Sequence, residues 1–159
     1  KIMKISLLTI GKTNASYLTA GIKEYEKRLQ RFINFELKSI SDIKNARKLS
    51  PAEIKNKEGQ LLLKNIKSND FVILLDERGK TFSSISFAEY LQKQMNQGVS
   101  NITFVVGGAY GFSEAIYKRA NAKISLSKMT FSHQIIRLIF VEQIYRAYAI
   151  INHHPYHNE

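Results

Sequence analysis

The most constraining feature of the sequence is a long apolar stretch near its C-terminal end, predicted as a helix from Ser132 to Ile151. Ser132 can cap this helix, because a hydroxyl there can accept from a backbone N–H of the first turn. Aliphatic and aromatic residues are too many for one stripe, and the polar residues lie on opposite sides in its two halves. A helix that is apolar nearly all round is buried on several sides. Because a chain of this size offers little core to surround it, we expect a homodimer with this helix in the interface.

The rest of the chain alternates between strand and helix patterns. Strands are predicted at residues 3–10, 34–40, 71–75, 102–106 and 123–126, and helices at 14–29, 51–66, 86–97 and 113–120. Two of the helices begin with the capping-box pattern, Ser50 with Glu53 and Ser86 with Glu89. This alternation predicts an open, mostly parallel α/β sheet with helices on both faces, formed by residues 1–159 as a single domain.

Composition excludes several classes of protein. The chain has no cysteine, which excludes disulfides, thiolate metal sites and a cysteine nucleophile. No apolar run reaches the roughly 18 residues that a membrane span needs. The apolar run from Ile5 to Ile10 is short and continues into a helix, unlike a signal peptide. We therefore expect a cytoplasmic protein with no membrane partner.

Positive charge is concentrated in the first part of the chain. Of the net charge of +11, residues 1–68 hold 15 basic and 6 acidic residues, whereas residues 69–159 hold 9 and 7. Such a distribution favours a polyanionic partner, with nucleic acid as the leading candidate. A solvated basic surface that serves only solubility would have the same composition. The basic loop, residues 41–49, is the candidate RNA-binding segment through Lys44, Arg47 and Lys48.

Three strand ends are candidates for a ligand site. In an open α/β sheet, ligands bind beyond the carboxyl ends of the strands. Here those ends are Leu75-Asp76, Gly107-Gly108 and residues 126–131. The glycine pair lets backbone approach a ligand closely, although a tight turn without a ligand would look the same. The pattern matches neither the dinucleotide nor the P-loop fingerprint.

Histidine and arginine supply further candidates. Three of the four histidines lie in the last seven residues. A metal site there would lack a complete ligand set, and an ordinary terminus would fray. We favour a tail that folds over an active site and offers a proton acceptor or donor. Arg146 has a helical partner in Glu142, whereas Arg137 has none and is the better candidate for an anionic ligand.

Several motifs together carry a family resemblance that spans the whole chain. They are Gly107–Gly111, Leu126–Thr130, His133–Arg137, Glu142–Ala147 and the closing Tyr156-His157. With these the chain resembles the ribosomal RNA large-subunit methyltransferase H family of the SPOUT superfamily. The resemblance implies a deep C-terminal trefoil knot that holds S-adenosylmethionine, a homodimer, no metal, and methylation of pseudouridine N3 in 23S rRNA within the ribosome.

The resemblance also implies roles for individual residues. Cofactor contacts are expected along three segments: Leu75, Gly107, Leu126, Ser127, Lys128, Met129, Thr130 and Phe131. In the catalytic set, His157 is expected to act as the base, Tyr156 to pack on or hydrogen-bond the target base, and Arg137 to contact a phosphate or the cofactor carboxylate. Asn158 is a departure, because similar proteins usually have Arg or Lys there.

Two alternatives remain open at this point. A dimeric, ribosome-associated RNA-binding protein without catalysis would show the same charge and helix patterns. A knotted tRNA ribose methyltransferase would share the fold, but the chain has no separate tRNA-binding domain, which counts against it.

Overall fold

A sheet of five parallel strands forms the centre of the computed structural model, which describes residues 3–158. The strands are β1 (Lys4–Ile10), β2 (Asn34–Ile40), β3 (Phe71–Thr81), β4 (Asn101–Val106) and β5 (Ala122–Ser125). Their order across the sheet is β2-β1-β4-β3-β5, and every neighbouring pair is parallel. The predicted parallel α/β sheet is therefore confirmed.

Helices cover both faces of the sheet. They are α1 (Ser16–Leu29), α2 (Pro51–Lys64), α3 (Ser84–Asn96), α4 (Glu114–Arg119) and α5 (Ile135–Ile151), with a short 3₁₀ helix at Ala46–Lys48. One hydrophobic cluster joins the sheet to α1, α3 and α5, and a second joins it to α2 and α4. A strand that is covered on both faces needs apolar side chains at every position. The run from Val72 to Leu75 is accordingly apolar and buried throughout.

The two capping boxes predicted from the sequence have different outcomes. At α2, Ser50 accepts from the Glu53 N–H and the Glu53 carboxylate accepts from the Ser50 N–H, as predicted. At α3, the prediction of Ser86 as the cap was wrong. Ser83 is the cap, and the Ser86 hydroxyl closes the box by accepting from the Ser83 N–H. The helix therefore begins at Ser84, slightly earlier than predicted.

The end of β3 also differs from the prediction, because the strand continues past residue 75 to Thr81. Leu75 and Lys80 both align with Ile124 of β5, so the four residues between them protrude as a bulge. Gly79 allows the chain to return, because a Cβ there would lie 2.6 Å from the Ile124 nitrogen. We call residues 76–79 the β3 bulge. It presents the charged side chains of Asp76, Glu77 and Arg78 at the carboxyl edge of the sheet.

Helix α5 lies between α1 and α3, and none of its residues is exposed. It begins at Ile135 rather than Ser132, although the Ser132 hydroxyl does accept from the Ile135 N–H at 3.1 Å. Gly21 allows α1 to come close, because a Cβ there would lie 3.0 Å from a Leu138 methyl carbon. The predicted burial on several sides is confirmed within one chain. That burial alone therefore does not require a second copy.

Candidate active site

A cavity of about 540 Å³ opens where β3, β4 and β5 end. Its walls are the β3 bulge, the loop after β4 and the segment between β5 and α5. We call it the strand-end pocket. Its volume lies in the range of sites for small molecules and cofactors. The three strand ends that we expected to converge do line one cavity.

Most of the expected cofactor-binding residues line the strand-end pocket. They are Leu75, Gly107, Leu126, Ser127, Met129, Thr130 and Phe131. Lys128 is the exception, because it is exposed and does not line this cavity. Asp76, which the sequence indicated only as part of a strand end, also lines the cavity, as do Tyr117 and His133, which were not expected there.

The glycines of the loop after β4 are needed for packing inside the protein. A Cβ on Gly107 would lie 3.1 Å from the Phe112 ring, and one on Gly108 would lie 2.5 Å from a Glu58 carboxylate oxygen. Gly111 has a φ of 83°, which favours glycine. The loop therefore packs closely on Phe112 and on α2, and this packing fixes the wall that faces the cavity.

The carboxylate of Asp76 is held in the pocket by two hydrogen bonds. The Tyr117 hydroxyl donates to its Oδ2 at 2.6 Å, and the Arg78 N–H donates to its Oδ1 at 3.0 Å. Burial alone would raise the pKa of Asp76, but these hydrogen bonds and the positive charges of Arg78 and Lys123 outweigh it and lower the pKa. Asp76 is therefore a fixed, ionised carboxylate at neutral pH.

A second carboxylate lies on the same bulge. Glu77 accepts a hydrogen bond from the Thr130 hydroxyl at 2.9 Å, which links the β3 bulge to the segment before α5. Both Asp76 and Glu77 line the cavity. Two carboxylates on one wall suit a ligand that carries positive charge.

Arg137 does not face the cavity, in contrast to the expectation that it contacts an anionic ligand. Its exposed fraction is 0%, and it donates to the carbonyls of Ile10 and Gly11 at 3.0 and 2.9 Å. It also donates to the His133 carbonyl and the Thr13 hydroxyl. These bonds join the start of α5 to the end of β1, so Arg137 positions the helix rather than the ligand.

The tail lies on α5 and α1, away from the strand-end pocket. The Tyr156 hydroxyl donates to Glu142 at 3.0 Å and lies 3.0 Å from the Tyr25 hydroxyl. His157 Nδ1 lies 3.0 Å from an Arg146 nitrogen, and Arg146 also forms the predicted ion pair with Glu142, at 2.7 Å. Ile136 is the residue of α5 that lines the cavity. It lies ten residues before Arg146 on the helix, a distance of roughly 15 Å at 1.5 Å per residue.

Tyr156 is held in its protonated form by its surroundings. Desolvation raises the pKa of Tyr156, and the hydrogen bonds with Tyr25 and Glu142 raise it further. Its ring also packs edge-on against Tyr145, with centroids 4.7 Å apart. Tyr156 is therefore a hydrogen-bond donor at neutral pH, and it stabilises the fold in addition to any role in chemistry.

The basic loop lies at the same edge of the sheet as the pocket but at the far strand. It follows β2, and Lys44, Arg47 and Lys48 are exposed. Strands β1 and β4 lie between β2 and β3, which places the two regions roughly 15 Å apart at about 4.8 Å per strand. A nucleic acid strand along this edge can cover both.

Within residues 3–158, no helix has the length and apolar character to cross a membrane. The same residues contain no group of three or more His, Cys, Asp or Glu side chains that could hold a metal ion.

Comparison with known proteins gives one consistent result. Residues 3–157 match a family described as predicted SPOUT methyltransferases. Ribosomal RNA large subunit methyltransferase H of Parabacteroides distasonis is 57% identical over 157 residues, which covers 99% of this chain and 100% of that protein. The proteins of the same name from Christiangramia forsetii and Flavobacterium johnsoniae are 55% and 54% identical, over 98% and 99% of this chain and 99% and 100% of their own lengths.

Proposed function

The chain belongs to the SPOUT methyltransferase family, and we propose on that basis that it methylates N3 of a pseudouridine in 23S rRNA, at position 1915, with S-adenosylmethionine as the methyl donor. Support comes from the names of the relatives, from the basic first half of the chain and from the strand-end pocket. The observation that carries the proposal is the convergence of three strand ends on one cavity lined by two carboxylates.

The residues of the pocket fit S-adenosylmethionine. This cofactor is positively charged at its sulfonium and ammonium groups, and Asp76 and Glu77 place two carboxylates on the wall. Leu75, Leu126 and Phe131 would supply apolar contacts for its uncharged parts. When bound, the cofactor supplies an electrophilic methyl group.

The remaining chemistry is done by the chain. The protein must hold N3 of the target base in line with the methyl group and must accept or tolerate the N3 proton. We assign the base to His157 and hydrogen-bond donation to Tyr156, whose raised pKa keeps it protonated. Arg137 acts through position, since its bonds to Ile10 and Gly11 fix the start of α5 beside the cavity.

The position of the tail leads us to propose a homodimer as the active form. His157 lies beside Arg146, far along α5 from the pocket-lining Ile136 of the same chain. A tail can therefore reach a strand-end pocket only from a second copy or after leaving its contacts on α5. We propose the second copy, because the half-buried apolar residues Ile135, Ile139 and Ile151 leave apolar surface on α5 for a partner.

The proposal is tested with the purified protein and large ribosomal subunits from a strain that lacks it. Calorimetry should show saturable binding of S-adenosylmethionine, and labelled methyl groups should pass to 23S rRNA. Cofactor binding without transfer to any RNA would favour a non-catalytic RNA-binding dimer. Transfer to tRNA in place of 23S rRNA would favour a tRNA methyltransferase.

A further inference from the structure

A second cavity, of about 490 Å³, adjoins the strand-end pocket and shares two residues with it. Its lining consists of Arg78, Tyr117, Ala120, Asn121, Ala122 and Lys123. Arg78 and Tyr117 also line the strand-end pocket, so they form the partition between the two cavities. We call the second cavity the basic recess.

The two cavities differ in charge. Asp76 and Glu77 line the strand-end pocket, but in the part of the chain that the structure describes no carboxylate lines the basic recess. The recess has two cations instead, Arg78 and Lys123. The side chain of Arg78 is 76% exposed, so its guanidinium is accessible from solvent. Its Nε also lies 3.7 Å from Asp76 Oδ1, so part of the Arg78 charge is offset and Lys123 supplies the remaining positive charge of the recess. The strand-end pocket therefore suits a cation, and the recess suits an anion.

The cations of the recess are held in place. The Arg78 guanidinium donates to the Tyr117 hydroxyl at 2.9 Å, and that hydroxyl donates to Asp76. Lys123 is on β5, and its Nζ lies 5.5 Å from the centroid of the Tyr117 ring. An arginine whose direction is already fixed loses less conformational freedom when it binds a phosphate, and its planar fork matches phosphate oxygens.

The floor of the recess is also rigid. The Asn121 side chain accepts from the Val72 N–H at 2.8 Å, and Arg119 donates to Asn121 and to the carbonyls of Lys67 and Asp70. These bonds tie the segment between α4 and β5 to the start of β3. The recess is therefore a built surface rather than a gap between mobile loops.

We propose that the basic recess binds a backbone phosphate of the RNA substrate beside the nucleotide that enters the strand-end pocket. This inference rests on the proposed function. Methyl transfer needs a cationic donor on one side and a polyanionic acceptor on the other, and the partition of Arg78 and Tyr117 separates sites of those two charges. The recess adds a phosphate contact next to the chemistry, in addition to those expected at the basic loop.

The test compares two lysine variants that remove the same charge. Lys123 lines the recess and not the strand-end pocket, and its charge is the smallest of the influences that lower the pKa of Asp76. Lys118→Gln changes an exposed lysine at the end of α4 that lines neither cavity. Binding to large ribosomal subunits is measured from low to high salt. Lys123→Gln should lower the slope of log affinity against log salt by about one, and Lys118→Gln should leave it at the wild-type value. Affinity for S-adenosylmethionine at neutral pH should not be weakened in either variant, because Asp76 keeps the two hydrogen bonds and the Arg78 charge that hold it ionised.

Three results would contradict the proposal that the basic recess binds an RNA phosphate. A wild-type slope in Lys123→Gln would mean that no phosphate is bound there. Equal losses in Lys123→Gln and Lys118→Gln would mean a diffuse field rather than a site. Stabilisation of the wild-type protein by inorganic phosphate, with an unchanged RNA slope in Lys123→Gln, would mean a site for free phosphate only.

The same experiment separates this inference from the proposed function. A wild-type protein that transfers no methyl group to 23S rRNA but shows a Lys123-dependent slope refutes the methyltransferase assignment and keeps the recess. A protein that methylates 23S rRNA with a slope that does not depend on Lys123 refutes the recess alone. Melting temperatures of the two variants exclude loss of the fold as the cause.

Discussion

Asp76 shows how one residue acquires its properties from distant parts of the chain. Its carboxylate would be difficult to ionise if it were only buried, but Tyr117 and the Arg78 N–H donate to it and two cations lie nearby. The result is a fixed negative charge in the cavity where a sulfonium cofactor would bind. Hydrogen bonds to a charged group are shorter and stronger than neutral ones, and the 2.6 Å distance from Tyr117 is consistent with this.

Removing the charge of Asp76 should weaken cofactor binding. Asp76→Asn should lower the affinity for S-adenosylmethionine by about tenfold, in line with the loss of one charge-assisted contact. Tyr117→Phe keeps the charge but removes a hydrogen bond that lowers the pKa of Asp76. Its affinity should therefore begin to fall at a less acidic pH than that of the wild type. Calorimetry across pH measures both, and equal affinities for Asp76→Asn and wild type would exclude this role.

Glu58 is the opposite case, a carboxylate whose surroundings disfavour its charge. One of its oxygens is buried and has no hydrogen-bond partner within residues 3–158, and the group lies against Gly108. Desolvation raises the pKa of Glu58, and the negative charge of Asp42 raises it further. Its ionisation therefore costs folding free energy as pH rises from the unfolded pKa, about 4.3, through the raised folded pKa.

Glu58→Gln should therefore stabilise the protein at neutral pH, because glutamine never ionises. The gain in melting temperature over the wild type should be constant above the folded pKa and should shrink as pH falls toward about 4. Glu89→Gln, at an exposed position of α3, is the matched control and should show no such pH-dependent gain. A gain for Glu58→Gln that persists unchanged at pH 4 would contradict this account.

At the scale of elements, most of the fold could be predicted because its signals are local. The apolar run at Val72 to Leu75 and the capping box at Ser50 depend on residues a few positions apart. The β3 bulge could not be predicted, because it arises from the pairing of Leu75 and Lys80 with one residue of β5. Likewise, the partners of Arg137 lie 126 and 127 positions away, at Gly11 and Ile10.

The candidate site could be predicted in part for the same reason. Strand ends in a parallel sheet share one edge, so Leu75, Gly107 and the segment from Leu126 could be expected to converge. Asp76 followed the buried strand directly and was a visible signal. Tyr117 gave no such signal in the sequence, because its hydrogen bond to Asp76 spans 41 positions and depends on where α4 packs.

The hydrogen bonds of Arg137 connect α5 to β1, and their loss should destabilise the fold. Arg137→Met should leave buried carbonyls at Ile10 and Gly11 without their donor, and should lower the free energy of unfolding by about 2–4 kcal/mol. Arg47→Met, in the exposed basic loop, should change stability by less than about 0.5 kcal/mol. Denaturant unfolding measures both. An Arg137→Met protein of normal stability with weakened cofactor binding would return Arg137 to a ligand-binding role.

At the scale of the whole molecule, the tail and the pocket belong to different regions of one chain. Tyr156 packs on Tyr145 and bonds to Glu142 and Tyr25, so deleting residues 156–159 should lower the melting temperature as well as the rate. The trefoil knot implied by the family resemblance stays a prediction. In the proposed dimer, the tail of one copy reaches the strand-end pocket of the other, and this arrangement can be tested by mixing variants.

Two impaired variants should restore activity when they are combined and assayed at a low cofactor concentration, where Asp76→Asn alone works about tenfold more slowly than the wild type. His157→Ala should lose roughly 100- to 10,000-fold in single-turnover rate, as for a lost base. If His157 acts in the pocket of its partner, refolding His157→Ala together with Asp76→Asn should produce mixed dimers that contain one intact site. Random pairing in a two-fold dimer should then restore about a quarter of wild-type activity.

The control for this mixing experiment is each variant refolded alone. Absence of any recovery in the mixture would mean that His157 acts within its own chain or not at all. Single-turnover rates for His133→Ala would then decide whether His133, which lines the pocket of its own chain, is the base instead.

We have proposed that this protein methylates N3 of one pseudouridine in 23S rRNA. The direct measurement is mass spectrometry of nuclease fragments of 23S rRNA, from a deletion strain, before and after treatment of its large subunits with the protein and S-adenosylmethionine. We predict one added methyl group, on the fragment that contains position 1915, located on N3, and about tenfold slower methylation at low cofactor concentration when Asp76→Asn replaces the wild type. A methyl group at another nucleotide or on a ribose, or an unchanged fragment after treatment with active protein, would contradict the account.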